Sequence, residues 1–178
     1  CGPGSFTGIR ALISTALGVT ISKTHIKSIG INSLAGLAMS ALQEAKTLKV
    51  KYIISSIDSK KDDLFLQLFK VNYTKNKLLP IVAVSDIHTL KIEKLYNYFV
   101  INNLILNEVL FVGHQSTNVK NIIENLNVSR NKTQHPDSLG VGKLAACIIS
   151  NQISFNKTTC AFEKFKPIYA RSAKINLQ

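Results

Sequence analysis

The sequence predicts an α/β fold, and three observations support that prediction. Apolar patterns with the period of a helix alternate with short apolar runs of strand length along the 178 residues. Hydrophobic residues make up 46% of the chain, which is enough to build a packed core. No apolar run approaches the roughly 20 residues that a membrane-spanning helix requires. We therefore expect a globular domain and no membrane partner.

The first part of the chain is predicted to contain a loop, a helix, a strand and a second helix. From Ile9, apolar side chains recur at positions i, i+3, i+4, i+7 and i+8, and Thr7 is the predicted N-cap. The apolar face of this helix consists of Ile9, Leu12, Ile13, Ala16 and Leu17. A strand is predicted over residues 26–31, and residues 32–33 offer the N-cap of the second helix. Because the second helix carries alanine and glycine on its contact face, another helix can approach it closely.

The remainder of the chain predicts a mixed sheet with further helices. Strands over residues 52–57 and 64–71, joined by a polar turn, indicate an antiparallel hairpin. Further strands are predicted over residues 79–84 and 109–112. Helices are predicted around residues 92–99, around residues 119–126 and after Pro136-Asp137-Ser138, and residues 127–135 are a predicted loop. A composition change over residues 46–51 divides the chain into a predicted first lobe, residues 1–50, and a second lobe, residues 51–178.

The charge and the cysteines restrict the partners and the compartment. The net charge is +12, from 22 basic and 10 acidic residues, which favours contact with a polyanion such as RNA. Nearly all the basic residues are lysines, and lysine, asparagine and isoleucine are abundant together, so compositional drift explains the charge equally well. Cys1, Cys147 and Cys160 lie far apart and form no C-x-x-C pair. This pattern fits a reducing cytoplasm without a disulfide framework.

The sequence contains no recognisable catalytic or metal-binding set. The opening loop fails the P-loop, the G-x-G-x-x-G and the G-x-S-x-G patterns. A glycine-rich loop at a helix start still serves either of two roles, an anion nest or tight packing of backbone. The pair Asp86 and His88 is interpreted as a surface contact, and Asp58, Asp62 and Asp63 as a solvated turn. We predict neither a catalytic residue nor a metal ligand.

Residues 2–10 (GPGSFTGIR) resemble the signature loop of the bacterial TsaB (YeaZ) proteins, which belong to the actin-like ATPase superfamily. Supporting resemblances follow in order at residues 29–34, 57–61 and 166–171. The resemblance implies an actin-like (ribonuclease H-like) two-lobe fold. It also implies that the first lobe is incomplete at its N-terminus, because the family's N-terminal strands and first helix are missing here.

The resemblance also implies a function and a set of site residues. The chain would be a non-catalytic scaffold subunit that pairs with the TsaD transferase to form threonylcarbamoyladenosine beside the tRNA anticodon. The TsaE ATPase would join the assembly, so ATP would enter only through partner subunits, with tRNA or a second copy as further partners. The helix face defined above would bind the partner, and an anion or partner would contact the loop residues Gly2, Pro3, Gly4, Ser5, Phe6, Thr7, Gly8 and Arg10.

Two alternatives to the scaffold remain open at this point. The glycine loop at a helix start also suits an actin-like enzyme that binds a nucleotide. The net charge also suits a basic RNA-binding module. The scaffold interpretation depends on two helices with small or apolar faces, both of which we expect to bind another protein.

Overall fold

The computed structural model describes residues 2–23, 25–26, 28–59, 63–74, 79–113 and 116–151. Within these ranges the chain forms an α/β fold. Its helices are α1 (Phe6–Ser22), α2 (Ser33–Ser40), α3 (Leu42–Thr47), α4 (Leu95–Ile101), α5 (Thr117–Asn125) and α6 (Ser138–Ser150). Its strands are β1 (Tyr52–Asp58), β2 (Asp63–Val71), β3 (Ile81–Ala83), β4 (His88–Lys91), β5 (Val109–Gly113) and β6 (Ser129–Arg130). Short 3₁₀ helices span Ile92–Lys94 and Leu106–Glu108.

The six strands form one mixed sheet in the order β3-β2-β1-β5-β6, and β4 also pairs with β2. β1 and β2 are antiparallel, from Tyr52 opposite Lys70 to Asp58 opposite Leu64. This pairing confirms the predicted hairpin. β1 runs parallel to β5, and β5 runs parallel to β6. The carboxyl ends of the three parallel strands therefore meet at one edge of the sheet.

Helices cover both faces of the sheet, and alternate side chains of each strand enter different cores. In β1, Ile53 belongs to the core under α2, α3 and α6, whereas Ile54 belongs to the core under α4 and α5. In β5, Leu110 likewise belongs to the first of these cores and Phe111 to the second. A sheet that is covered on both faces explains why β5 is buried at every position.

Helix α2 does allow close approach, but the helix that approaches is α6 of the same chain. A Cβ atom at Gly36 would lie 2.9 Å from Val141 Cγ2 of α6. Leu34, Leu37 and Ala38 are completely buried. The expectation that α2 presents a face to another protein is therefore wrong, because its small-residue face lies in the interior of this chain.

The buried side chain of Asn32 is the N-cap of α2. Asn32 Oδ1 accepts a hydrogen bond from Ala35 N at 2.8 Å, and Asn32 Nδ2 donates to Gln67 Oε1 at 2.7 Å. Gln67 Nε2 in turn donates to the Ser85 carbonyl at 3.2 Å. Asn32 and Gln67 are both buried, so the bond between them satisfies polar atoms that water does not reach and links α2 to β2.

We expect the substitution Asn32→Ala to lower the free energy of unfolding by about 2 kcal/mol, because it removes both the N-cap and the buried hydrogen bond to Gln67. The matched control is Ser116→Ala, which removes the cap of α5, whose side chain accepts from Val119 N. It should cost only about 1 kcal/mol. Urea denaturation followed by circular dichroism measures both. Equal losses in the two variants would show that the bond to Gln67 contributes nothing.

The structure corrects several sequence predictions at the level of local structure. Ser5, not Thr7, caps α1, since its Oγ accepts from Gly8 N at 3.4 Å and the helix begins at Phe6. The strand predicted over residues 26–31 is wrong for residues 28–31, which have no regular structure. β4 was not predicted, and β6 lies inside the predicted loop of residues 127–135. The motif at residues 166–171 lies outside the described residues.

The predicted lobe boundary at residues 50 and 51 remains a prediction. Helix α2, from the predicted first lobe, packs on β1 and β2 and against α6 from the second. Among the helices that the structure describes, none combines the length and hydropathy needed to cross a membrane.

Candidate functional site

A cleft of about 710 Å³ lies beside the opening loop. Three segments that are distant in sequence form its walls: the loop at residues 3–5, the carboxyl end of β1 at residues 57–59, and the connection at residues 134–136 that leads into α6. The remaining lining residues are Ser33 and Phe65. The cleft therefore lies at the sheet edge where the parallel strands end, which is the usual ligand position in open α/β sheets.

Backbone contacts fix the opening loop against α2. The Ser33 amide donates to the Gly2 carbonyl at 2.8 Å, next to the Asn32 cap. Gly2 has a φ of 100°, a conformation that side chains rarely tolerate. The Ile9 side chain lies beside Gly4, since a Cβ atom at Gly4 would lie 3.7 Å from Ile9 Cδ1. This loop is therefore tied both to the core and to the first turn of α1.

The cleft contains one carboxylate, one imidazole and several hydroxyls. Asp58 and Ser59 come from the end of β1, His135 from the connection before α6, and Ser5 and Ser33 from two helix starts. The first-turn amides of α1 start beside Ser5, and helix N-termini favour anions. Within the described ranges, no three His, Cys, Asp or Glu side chains are grouped to hold a metal ion. This arrangement has the polar groups for binding a small polar ligand.

Sequence reasoning did not foresee that Asp58 and His135 line one cleft. It interpreted Asp58 as part of a solvated turn and found no role for His135. The two residues are far apart in the chain, and only the parallel pairing of β1, β5 and β6 brings their segments to the same edge. No local pattern carries that information, because it depends on long-range strand order.

The signature loop divides between the cleft and the helix. Pro3, Gly4 and Ser5 line the cleft, whereas Phe6, Thr7, Gly8 and Arg10 belong to α1 and are exposed. The Arg10 guanidinium lies 3.8 Å from the centroid of the Phe6 ring, a cation–π contact. Arg10 is therefore engaged on the helix and does not line the cleft.

Helix α1 is the most exposed apolar element among the described residues. Ile9 is its one buried side chain. Within the predicted face, Leu12 is 73% exposed and Leu17 is 40% exposed, while Ile13 and Ala16 are half-buried. Elsewhere on the helix, Phe6, Val19 and Ile21 are also exposed. The first turn is thus attached to the body of the protein, and the remainder of the helix presents apolar side chains to solvent.

Solved structures with a similar fold are known, although sequence comparison finds no relative. No protein-family model matches the sequence, and no curated protein matches it significantly. Among solved structures, YeaZ from Pseudomonas aeruginosa is similar with a TM-score of 0.68 and 17% identity, over 94% of this chain and 70% of that chain. An uncharacterized protein with similarity to peptidase YeaZ from Pseudomonas aeruginosa gives 0.67 and 17%, over 96% and 70%.

The strand order supports the same conclusion from the topology. An antiparallel hairpin followed by two parallel strands on the far side of β1 is consistent with the ribonuclease H-like arrangement that the signature loop implies. This chain has the fold of the YeaZ proteins.

Proposed function

We propose that this chain is a member of the TsaB (YeaZ) family and a non-catalytic scaffold subunit in the formation of threonylcarbamoyladenosine in tRNA. In this proposal it pairs with the TsaD transferase, and its own residues perform no chemistry. Two findings support the proposal: the signature loop at residues 2–10 and a fold shared with YeaZ.

The observation that carries the scaffold role is the exposure of α1. Its 17 residues include one charged side chain, Arg10, and one buried side chain, Ile9. A helix that is apolar on most of its surface normally lies inside a protein or an interface. Covering it removes apolar area from water, at about 25 cal/mol per Å². We therefore assign α1 as the surface that meets TsaD.

The proposal extends to the architecture and the assembly. Residues 1–50 would belong to a first actin-like lobe, and residues 51–178 to a second lobe. TsaE would join the complex and supply the ATP-dependent step, and the whole assembly would work in the cytoplasm. A second copy of this chain is the competing occupant of the same helix.

Co-purification with TsaD tests the proposal directly. The chain and TsaD are mixed at micromolar concentration and separated by size-exclusion chromatography with light scattering, with each protein run alone as the control. We expect a new peak that contains both proteins. Separate elution of the two proteins, or self-association of this chain that TsaD does not disrupt, would contradict the scaffold role.

The cleft favours a second candidate, an actin-like enzyme that binds a nucleotide. Its volume, the α1 N-terminus beside Ser5 and the carboxylate of Asp58 are the features such a site requires. Isothermal titration with ATP and Mg²⁺ separates the two candidates. On the scaffold proposal we expect no heat of binding at millimolar nucleotide. Saturable binding, lost in Asp58→Asn, would favour the enzyme.

A further inference from the structure

Three exposed lysines lie at the end of β1 away from the cleft. Lys46 is in the last turn of α3, and Lys49 and Lys51 flank the entry to β1. The Lys51 carbonyl accepts a hydrogen bond from Val71 N at 2.9 Å, so the two strand ends are in direct contact. We call these three lysines, together with Tyr73, the lysine surface.

Hydrogen bonds of the Tyr73 hydroxyl hold its aromatic ring beside these lysines. Its hydroxyl lies 2.5 Å from the Val50 carbonyl oxygen and 3.2 Å from that of Ala45, and it donates its proton to this pair. Val50 lies between two of the lysines in sequence, and Ala45 precedes a third. The ring is nevertheless 48% exposed. Partial burial raises the pKa of Tyr73 above its ordinary value.

The positive charge of this surface is only partly neutralised. Lys51 Nζ lies 2.5 Å from Glu108 Oε1. Glu44, the carboxylate of α3, accepts a hydrogen bond from Asn131. Between described residues there is no ion pair to Lys46 or Lys49. These two exposed lysines therefore have no ion-pair partner within the described part of the chain.

Single-stranded nucleic acid is the ligand class that matches this combination. Proteins that bind single strands combine cationic side chains along the phosphate backbone with aromatic rings on which bases stack. The lysines supply the first element and Tyr73 the second, and the two bonds of the hydroxyl hold the ring without covering it. Lysines alone would attract any polyanion, whereas the fixed, exposed ring favours unpaired bases.

We propose that the lysine surface binds single-stranded nucleic acid, with successive phosphates on Lys46, Lys49 and Lys51 and a base stacked on Tyr73. RNA and DNA share both contacts and should bind alike. The surface lies at the opposite end of β1 from the cleft, and the strand has seven residues, or about 20 Å. A protein bound at α1 and a strand bound here are therefore compatible, and neither requires the other.

A charge-matched comparison tests the lysine surface. One variant carries Lys46→Gln, Lys49→Gln and Lys51→Gln. Its control removes the same charge from other exposed positions, Lys91→Gln, Lys94→Gln and Lys120→Gln. Binding of a fluorescent oligouridine of about 12 nucleotides, a length within usual site sizes, is measured by anisotropy. The titrations are repeated between about 20 and about 200 mM KCl, because phosphate contacts are salt-dependent.

We expect the first variant to raise the Kd at least about tenfold and to reduce the slope of log K against log salt by about 2, since each phosphate on a single strand contributes about 0.7. The control should change the Kd less than about threefold, as dispersed surface charges do. Equal losses in both variants would show that overall charge explains binding. Absence of binding by the unsubstituted chain at low salt would also overturn the proposal.

Tyr73 variants test the stacking contact separately. Tyr73→Leu should weaken binding about tenfold, because one stacked base is lost. Tyr73→Phe keeps the ring and should bind within about threefold of the unsubstituted chain, although its melting temperature falls with the lost hydrogen bonds. Unchanged affinity in Tyr73→Leu, or tighter binding of a duplex of the same length, would overturn the single-strand preference. Circular dichroism of each variant establishes that it is folded, and the lysine variants decide the outcome if Tyr73→Leu is not.

Discussion

Gly113→Ala is expected to remove most of the stability of the fold. Gly113 ends β5 with a φ of 118°, and a Cβ atom there would lie 1.9 Å from the Ser56 carbonyl oxygen of β1. It would also lie 2.9 Å from Leu37 Cδ2. The first clash is with backbone, so it is relieved only when β1 and β5 separate. Ser56 and Gly113 are the last register partners of β1 and β5, so that separation opens the pairing of these two strands from its carboxyl end, where Leu37 of the core also lies.

We expect a loss of at least about 4 kcal/mol, from the left-handed backbone and the steric overlap together, against a total stability of about 5–15 kcal/mol for a typical domain. The matched control is Gly142→Ala. Gly142 lies inside α6 with no atom within 4 Å of an added Cβ, so alanine should stabilise the helix by about 0.5–1 kcal/mol. Thermal denaturation measures both variants. A Gly113→Ala protein that melts within a few degrees of the unsubstituted chain would contradict this account.

Periodicity predicted the elements that the sequence marks strongly. The strand β5 is a continuous apolar run, β1 and β2 are mostly apolar segments joined by a polar turn, and the predicted cap at Asn32 precedes a clear helical pattern. β4 was missed because its four residues, HTLK, contain a single apolar side chain. It is a strand only because β2 extends far enough to pair with it, from Asp63 opposite Lys91 to Leu66 opposite His88. Tertiary pairing of this kind leaves no periodic signal.

Only part of the candidate site could be predicted, because the rest of it also depends on tertiary pairing. The glycines and the helix start of the opening loop are local features, and the loop does form one wall of the cleft. The other two walls depend on strand order. Periodicity also could not predict that α1 is exposed. The same apolar spacing occurs in α1, which is mostly exposed, and in α2, which is buried. A pattern shows that a face is apolar, and only the fold shows what covers it.

Leu12→Asp is expected to abolish pairing with TsaD and to leave the fold intact. Leu12 is 73% exposed and belongs to the central part of α1, so the substitution removes no contact from this chain's own core. In a complex, an aspartate at that position would be a carboxylate in an apolar interface, without a hydrogen-bond partner from this helix. Truncation of a central interface side chain alone costs about 2–4 kcal/mol, and the buried charge adds to it.

We therefore expect the Kd for TsaD to rise at least thirtyfold, the factor that about 2 kcal/mol produces. Val100→Asp is the matched control, because Val100 is 58% exposed on α4, on a different helix of the same fold. It should bind TsaD within about threefold of the unsubstituted chain, as surface substitutions away from an interface do. Biolayer interferometry measures both, and thermal melting establishes that each is folded. If Val100→Asp alone weakens the complex, the interface lies on the α4 side of the sheet; if neither does, α1 is not the surface that meets TsaD.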